Sequence, residues 1–135
     1  MKTRIIDSWP ILEWMAGRQP VRDIVRQLLR EAEVGDIRLL MSAINVGEVY
    51  YFLRKNHGAA QAEDWRQTSP ALPINVEVPT LAEIWNAALL KGRFPISYAD
   101  AFAAALAQKY NCPVLTGDAE FRSVDQLEID WIGRT

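Results

Sequence analysis

The sequence has little of the side-chain chemistry on which many enzymes and small stabilised domains depend. It contains one cysteine, Cys112, and one histidine, His57, in 135 residues. A single cysteine excludes an internal disulfide and is typical of the reducing cytoplasm, which is the localisation we expect. One cysteine and one histidine cannot form a structural zinc site. A ribonuclease that uses two histidines as general acid and base is also excluded.

Long hydrophobic runs are missing as well. No stretch reaches the eighteen or so apolar residues needed to cross a membrane. The first residues, from Met1 to Asp7, lack the apolar segment and cleavage site of a signal peptide. Half of the residues are nonetheless hydrophobic, which is enough for one well-packed core. Length and composition therefore predict a single domain over residues 1–135, without membrane contact.

Short apolar segments alternate with segments of helical periodicity along the chain. The predicted strands are Arg4–Ile6, Ile37–Met41, Ile74–Val78, Pro113–Thr116 and Leu127–Ile132. The predicted helices are Pro10–Ala16, 20–34, Ser42 to about Asn56, Ala59–Thr68, Thr80–Lys91 and Ser97 to about Tyr110. Strands that alternate with helices form parallel βαβ units. The expected fold is therefore α/β, a three-layer sandwich with a parallel five-stranded sheet between two layers of helices.

Carboxylates follow two of the predicted strands and begin one of the helices. Asp7 comes directly after the first strand, and Asp118 follows the fourth strand after a single glycine. Asp100 lies in the first turn of a helix that is expected to start at the same edge of the sheet. Ligands of such sheets bind beyond the C-terminal ends of the strands, so we expect these three side chains to converge there.

Glu48 is placed by helical periodicity. Ile44, Glu48 and Phe52 share one face of their predicted helix at a spacing of four residues. With Ile44 and Phe52 interpreted as core residues, Glu48 is predicted to lie on or beside a buried stripe. An unpaired buried carboxylate is costly, so we expect a cation nearby.

Each of these four carboxylates also has an ordinary structural interpretation. An aspartate after a strand is a common turn residue, and Asp100 can be the acidic member of a capping box that begins at Ser97. Glu48 can reach solvent or pair with a basic side chain. The joint pattern favours a functional site, because close like charges repel one another and a divalent cation relieves the repulsion. Oxygen ligands suit Mg²⁺ or Mn²⁺, and such an ion beside a phosphate promotes phosphodiester hydrolysis.

The charge balance bears on whether the partner is a nucleic acid. The net charge is −2, whereas nucleic-acid-binding domains are commonly basic. Neutralising four carboxylates with metal would leave a net charge of +2. An acidic pocket on a mildly basic body is therefore compatible with an RNA substrate.

Four segments carry a family resemblance. They are Ile6-Asp7-Ser8, Ser42-Ala-Ile-Asn45-Val-Gly-Glu48, Ser97-Tyr-Ala-Asp100-Ala-Phe-Ala-Ala-Ala-Leu-Ala and Val114-Leu115-Thr116-Gly117-Asp118-Ala-Glu-Phe121. In order and spacing they resemble the PIN-domain family, specifically the short VapC-type toxins of toxin–antitoxin pairs. The resemblance spans nearly the whole chain. It implies a PIN-like sheet of order 3-2-1-4-5, Mg²⁺- or Mn²⁺-dependent endoribonuclease activity on RNA, a partner antitoxin and usually a homodimer.

The resemblance also implies roles for individual residues. Asp7, Glu48, Asp100 and Asp118 would be the catalytic, metal-binding carboxylates. The polar neighbours that orient them would be Ser8, Asn45 and Thr116. The chain departs from the family at Trp9, where members often have a small residue, and this bulk is expected to reshape the rim of the pocket.

Several alternatives stay open at this point. A phosphoacceptor module of flavodoxin-like shape would need a lysine at the end of a late strand, where this chain has Thr116-Gly117-Asp118. A PIN-type nuclease of RNA processing, and a binding module without catalysis, are the other candidates. Arg93 and Arg122 are the basic residues best placed in sequence for RNA contact.

Overall fold

The computed structural model describes residues 2–133 and contains the elements expected of an α/β protein. Its strands are β1 (Lys2–Ile6), β2 (Ile37–Ser42), β3 (Asn75–Glu77), β4 (Val114–Thr116) and β5 (Ile129–Trp131). Its α-helices are α1 (Ser8–Met15), α2 (Val21–Glu33), α3 (Ala43–His57), α4 (Ala59–Thr68), α5 (Leu81–Arg93) and α6 (Tyr98–Tyr110). Short 3₁₀ helices occur at Ser69–Ala71 and Ala119–Ser123. Between residues 2 and 133, no helix has both the length and the hydropathy that a membrane span requires.

The strands form one sheet of order β3-β2-β1-β4-β5, in which every pairing is parallel. The expected fold class and strand order are therefore confirmed. β1 lies at the centre, because Ile5 pairs with Leu40 of β2 on one side and with Val114 of β4 on the other. Its hydrophobic residues are completely buried, as expected for a parallel strand covered by helices on both faces.

Alternation along the strands divides the core between the two faces of the sheet. Ile5 and Leu40 pack in one cluster with residues of α5 and α6. Ile6 and Met41, the next residues along the same strands, belong to a second cluster with residues of α1, α3 and α4. The central helix α6 is buried continuously from Asp100 to Ala107, which is why its sequence is apolar on every side.

Capping side chains determine where several helices begin. Ser42, Thr80 and Ser97 each accept a hydrogen bond from a backbone amide in the first turn of α3, α5 and α6, as the sequence predicts. α1 starts two residues earlier than expected, at Ser8. The reason is that Asp7 accepts a hydrogen bond from the amide of Trp9 and so caps the helix.

The predicted core face of α3 is wrong. Ile44 and Phe52 are exposed, whereas Asn45, Val49 and Leu53 are the buried residues of this helix. The two faces are adjacent, one residue or about 100° apart around the helix. Both carry apolar residues four positions apart, and packing against α4 and the sheet selects the second of them. Glu48 therefore lies on a face that borders solvent and is half-buried.

The start of α1 and the end of β4 approach each other closely at one glycine. A Cβ atom added to Gly117 would lie 2.3 Å from Cη2 of Trp9, well inside contact distance. The indole of Trp9 therefore occupies the space that any other residue at position 117 would need. This contact positions Asp7 and Asp118, which flank the two residues in sequence.

We expect Gly117→Ala to lower the free energy of unfolding by roughly 1–3 kcal/mol, the usual cost of overpacking a well-filled site. Gly47→Ala is the matched control, because Gly47 is in α3 and nothing lies within 4 Å of its added Cβ. That control should instead gain about 0.5–1 kcal/mol from its helix propensity. Denaturant unfolding measures both values, and combining Gly117→Ala with Trp9→Leu should recover most of the loss. An undiminished loss in the double variant would contradict the proposed clash.

Candidate active site

Three of the carboxylates singled out in the sequence meet at the C-terminal edge of the sheet. Asp7 follows β1, Asp118 follows β4, and Asp100 lies in the first turn of α6. One carboxylate oxygen of each lies within 4.8 Å of those of the other two. The convergence follows from the parallel topology, which brings the ends of β1 and β4 together beside the N-terminus of α6.

Asp7 is held by hydroxyl groups from both neighbouring segments. Thr116 Oγ1 donates a hydrogen bond of 3.0 Å to Asp7 Oδ2 and accepts one of 3.0 Å from the amide of Asp118. Ser8 Oγ lies 3.4 Å from Asp7 Oδ1 and donates a shorter hydrogen bond to Glu48. Thr116 therefore links Asp7 to Asp118, and Ser8 links Asp7 to Glu48.

Asp100 lacks such support on one of its oxygens. Its side chain is only 3% exposed, and that of Asp7 is 1% exposed. Asp100 Oδ2 is buried without any hydrogen-bond partner in residues 2–133. Within the same residues, no lysine or arginine forms an ion pair with Asp7, Asp100 or Asp118. A buried oxygen without a donor, surrounded by further carboxylates, matches the donor set that a hard divalent cation prefers.

Glu48 lies in the same cleft but outside the close group of three. It lines a cleft of about 300 Å³ together with Asp100 and Asp118. Its carboxylate accepts hydrogen bonds from Ser8 and, at 3.4 Å, from the hydroxyl of Tyr51. The structure thus brings three of the four predicted carboxylates together and connects the fourth through Ser8.

Asn45 supports the site through the backbone. Its Nδ2 donates a hydrogen bond of 3.1 Å to the carbonyl oxygen of Ala99, the residue that precedes Asp100. No hydrogen bond joins the Asn45 side chain to a carboxylate in the part of the chain described. Its effect is to hold the first turn of α6, and with it Asp100, against α3.

Burial and mutual repulsion shift two of the carboxylates towards their neutral forms. Desolvation raises the pKa of Asp7 to about 7, with the charge of Glu48 adding to the shift and the hydrogen bond from Thr116 opposing it. Desolvation also raises the pKa of Asp100 to about 10, and the neighbouring carboxylates of Asp7, Glu120 and Asp118 add to the shift. The metal-free site therefore retains protons that a bound cation would displace.

Two residues of the cleft were not anticipated from the sequence. Glu120 lines the cleft and contributes to the raised pKa of Asp100, and Tyr51 contacts Glu48. Their spacing could have indicated both residues. Tyr51 follows Glu48 by three positions, which places it on the same face of the helix, and Glu120 follows Asp118 by two positions. Arg93 and Arg122 do not line this cleft. The guanidinium group of Arg122 instead lies 3.8 Å from the ring centre of Trp131.

Comparison with known proteins yields a family and a fold. A family model described as PIN domain matches residues 4–127. No curated protein matches the chain by sequence. More than thirty chains of solved structures resemble it.

Three of these solved structures show the extent of the likeness. VapBC2 from Rickettsia felis, bound to a DNA fragment from its promoter, has a TM-score of 0.72 at 12% identity over 95% of this chain and 97% of that one. A toxin–antitoxin complex from Klebsiella pneumoniae has a TM-score of 0.66 at 17% identity, over 92% and 94% of the two chains. VapC20 of Mycobacterium tuberculosis, a sarcin–ricin loop cleaving toxin, has a TM-score of 0.67 at 16% identity, over 93% and 98%. At these low sequence identities, the similarity shows a shared fold.

The raised pKa values predict that Asp100→Asn stabilises the metal-free protein more at pH 8 than at pH 5. Between the unfolded pKa near 4 and the folded pKa, the folded state retains a proton that the unfolded state has lost, so the stability of the wild type falls as pH rises. An asparagine side chain does not titrate, so it causes no such loss of stability as pH rises. Thermal midpoints in EDTA at the two pH values measure the difference between variant and wild type.

The control for this experiment is Asp64→Asn, because Asp64 is an exposed carboxylate on α4, away from the cleft. Its effect should be the same at both pH values. Added Mg²⁺ should raise the midpoint of the wild type more at pH 8 than at pH 5, since metal ligands must be deprotonated. If the thermal midpoint of Asp100→Asn exceeded that of the wild type by less at pH 8 than at pH 5, the raised pKa of Asp100 would be contradicted.

Proposed function

Because the chain belongs to the PIN-domain family, we propose that it is a metal-dependent endoribonuclease that acts as the toxin of a toxin–antitoxin pair. The observation that carries the proposal is the unpartnered, buried Oδ2 of Asp100 within a group of three carboxylates that forms no ion pair in residues 2–133. A site of this composition is unfavourable unless a cation completes it. The complete set of carboxylates also argues against a binding module without catalysis.

Asp7, Asp100 and Asp118 would hold Mg²⁺ or Mn²⁺, and Glu48 would complete the set from its place in the same cleft. The chemistry that such an ion supplies is activation of a water nucleophile and stabilisation of the leaving oxygen in phosphodiester hydrolysis. Thr116 and Ser8 fix the rotamers of Asp7 and Glu48, so the oxygens are already oriented before a ligand arrives. Phosphate oxygens of RNA would reach the site through the cleft that Glu48, Asp100 and Asp118 line.

The toxin role is supported by the fold and by the exposed surface beside the cleft. The solved structures of similar fold include a toxin–antitoxin complex and a toxin that cleaves the sarcin–ricin loop. Ile44, Tyr51 and Phe52 of α3 are exposed, and the last two line the acidic cleft. An antitoxin that covered this face of α3 would therefore also close the cleft. The proposed assembly contains an antitoxin chain and a homodimer of this protein in the cytoplasm.

Cleavage of RNA by the purified protein should require Mg²⁺ or Mn²⁺ and stop in EDTA. Asp7→Asn should abolish it, whereas Thr116→Val should reduce it about 10- to 100-fold, the usual cost of removing a group that orients a metal ligand. Asp64→Asn is the control and should retain full activity. Undiminished cleavage by Asp7→Asn, or by protein freed of divalent metal and of contaminating nuclease, would remove the proposed site.

Expression of the wild type in a bacterium should arrest growth, and expression of Asp7→Asn at the same level should not. The reason is that an uninhibited endoribonuclease degrades RNA the cell needs, and the substitution removes a metal ligand while leaving the rest of the surface intact. Growth curves from a tightly controlled promoter, with protein levels matched by immunoblot, provide the measurement. Normal growth with soluble, folded wild type would exclude the toxin role and leave a nuclease of RNA processing.

A further inference from the structure

Trp9 is a shared wall of two clefts. One is the acidic cleft, which Trp9 lines together with Asp118. The other has a volume of about 510 Å³, and we call it the α1–α2 cleft. Its lining residues are Trp9, Glu13, Arg18, Gln19, Val21 and Gly117. Because Gly117 and Asp118 are consecutive in the chain, the two clefts also adjoin at the end of β4. A ligand in the acidic cleft can therefore extend past the indole of Trp9 into the α1–α2 cleft.

Helix α1 and the turn that follows it position two charged side chains beside Trp9. Glu13 follows Trp9 by four positions, so both residues lie on one face of α1. Arg18 Nη1 donates a hydrogen bond of 2.7 Å to Glu13 Oε1, and the amide of Arg18 donates one of 3.0 Å to the carbonyl oxygen of Glu13. The Arg18 side chain is 67% exposed, so its guanidinium is held in place yet accessible to a ligand.

The α1–α2 cleft offers RNA what the acidic cleft lacks. Among residues 2–133, Arg18 is the only lysine or arginine that lines either cleft. Proteins that bind single-stranded RNA stack its bases on aromatic rings and on guanidinium planes, and they hydrogen-bond the edges of those bases. Trp9 supplies the ring, and Arg18 and Glu13 supply donors and acceptors beside it. The two clefts therefore suit different parts of one nucleotide, the phosphate and the base.

We propose that the α1–α2 cleft binds a guanine base of the RNA substrate, stacked on the indole of Trp9, while a phosphate of the same nucleotide lies in the acidic cleft. The inference rests on the proposed function, to which it adds a preference for one base. Trp9, Glu13 and Arg18 would then determine which phosphodiester bond reaches the carboxylates.

The charged pair favours guanine over the other bases. Guanine has two adjacent N–H donor groups on its Watson–Crick edge, which match the two oxygens of the Glu13 carboxylate. Each of the other three bases has only one donor group on that edge. Guanine also has two adjacent acceptors, O6 and N7, to which arginine donates a pair of hydrogen bonds. The preference therefore follows from a carboxylate and a guanidinium that lie side by side.

Cleavage of short oligouridines with one internal guanosine tests the base preference. With Mg²⁺, the wild type should cut at a phosphate bonded to the guanosine, and at least about 5-fold faster than it cuts the same oligonucleotide with adenosine in that place. Glu13→Gln and Arg18→Gln should each reduce this ratio of kcat/KM values without lowering kcat/KM for the adenosine oligonucleotide. Equal cleavage of both oligonucleotides by the wild type, or an unchanged ratio in both variants, would overturn the proposal.

Binding without cleavage tests the stacking on Trp9. In an Asp7→Asn background, fluorescence anisotropy with the labelled guanosine oligonucleotide should show a Kd roughly 5- to 150-fold higher for Trp9→Leu, the effect of losing one stacked base, and a nearly unchanged Kd for Trp9→Phe. With an abasic residue in place of the guanosine, Trp9→Leu should have no effect. A purely structural role of Trp9 would weaken the binding of both oligonucleotides alike and would overturn the stacking.

Trp85→Leu is the matched control for Trp9→Leu. Trp85 is 69% exposed on α5 and lines neither cleft, so its substitution should leave both Kd values unchanged. Thermal melting shows whether each variant is folded, and the conservative Trp9→Phe protects the test if Trp9→Leu unfolds.

The two experiments distinguish failure of this inference from failure of the proposed function. Metal-dependent cleavage with no base preference would remove the guanine site and leave the nuclease. Guanine-dependent binding that Trp9→Leu weakens, in a protein whose wild type cleaves no RNA, would remove the nuclease and leave the guanine site.

Discussion

Repulsion between buried carboxylates is the constraint on which the rest of the site depends. Asp7, Asp100 and Asp118 approach within 4.8 Å of one another, and the first two are almost fully buried. Two unit charges 4 Å apart interact by about 4 kcal/mol at the effective dielectric constant typical of proteins. The metal-free protein relieves this repulsion by retaining protons, which is the meaning of the raised pKa values of Asp7 and Asp100. The fold therefore holds a group of carboxylates that could bind a metal ion.

Several parts of the fold act together to keep the carboxylates in place. The amides at the start of α1 and of the 3₁₀ helix after Asp118 donate hydrogen bonds to Asp7 and Asp118, and the partial positive charge of a helix N-terminus favours an anion there. Thr116 connects these two residues, and Asn45 fixes the turn that carries Asp100. The indole of Trp9 packs against Gly117, which lies between the segments that carry Asp7 and Asp118. None of these groups carries a positive charge, so they orient the carboxylates without neutralising them.

Two groups of exposed apolar residues, on α3 and on α5, have different neighbours. On α3 they border the acidic cleft, where a covering partner would control access to the site. On α5, Leu81, Trp85 and Leu89 lie outside the lining of that cleft.

Local sequence signals determined the order and type of the elements. Alternating apolar segments with capping residues at Ser42, Thr80 and Ser97 predict the parallel sheet. Carboxylates after two strands, Asp7 and Asp118, and one in the first turn of a helix, Asp100, predict the meeting of the three. These predictions succeed because hydrogen-bonded caps and hydrophobic periodicity act over a few residues. The assignment of individual site residues beyond this geometry stays a prediction.

Only the tertiary structure decided which face of a helix is buried and what each side chain contacts. The sequence has two adjacent apolar stripes on α3, and helical periodicity predicts that the stripe with Ile44 and Phe52 is the core. The structure buries the other stripe instead, because packing against α4 and the sheet decides which one is covered. Glu120 lines the same cleft as Asp100, although the two are twenty positions apart in the chain. Glu48 lies outside the close group of three carboxylates, and Trp9 approaches Gly117 from the other end of the chain. Such contacts arise from long-range packing, which a local pattern does not encode.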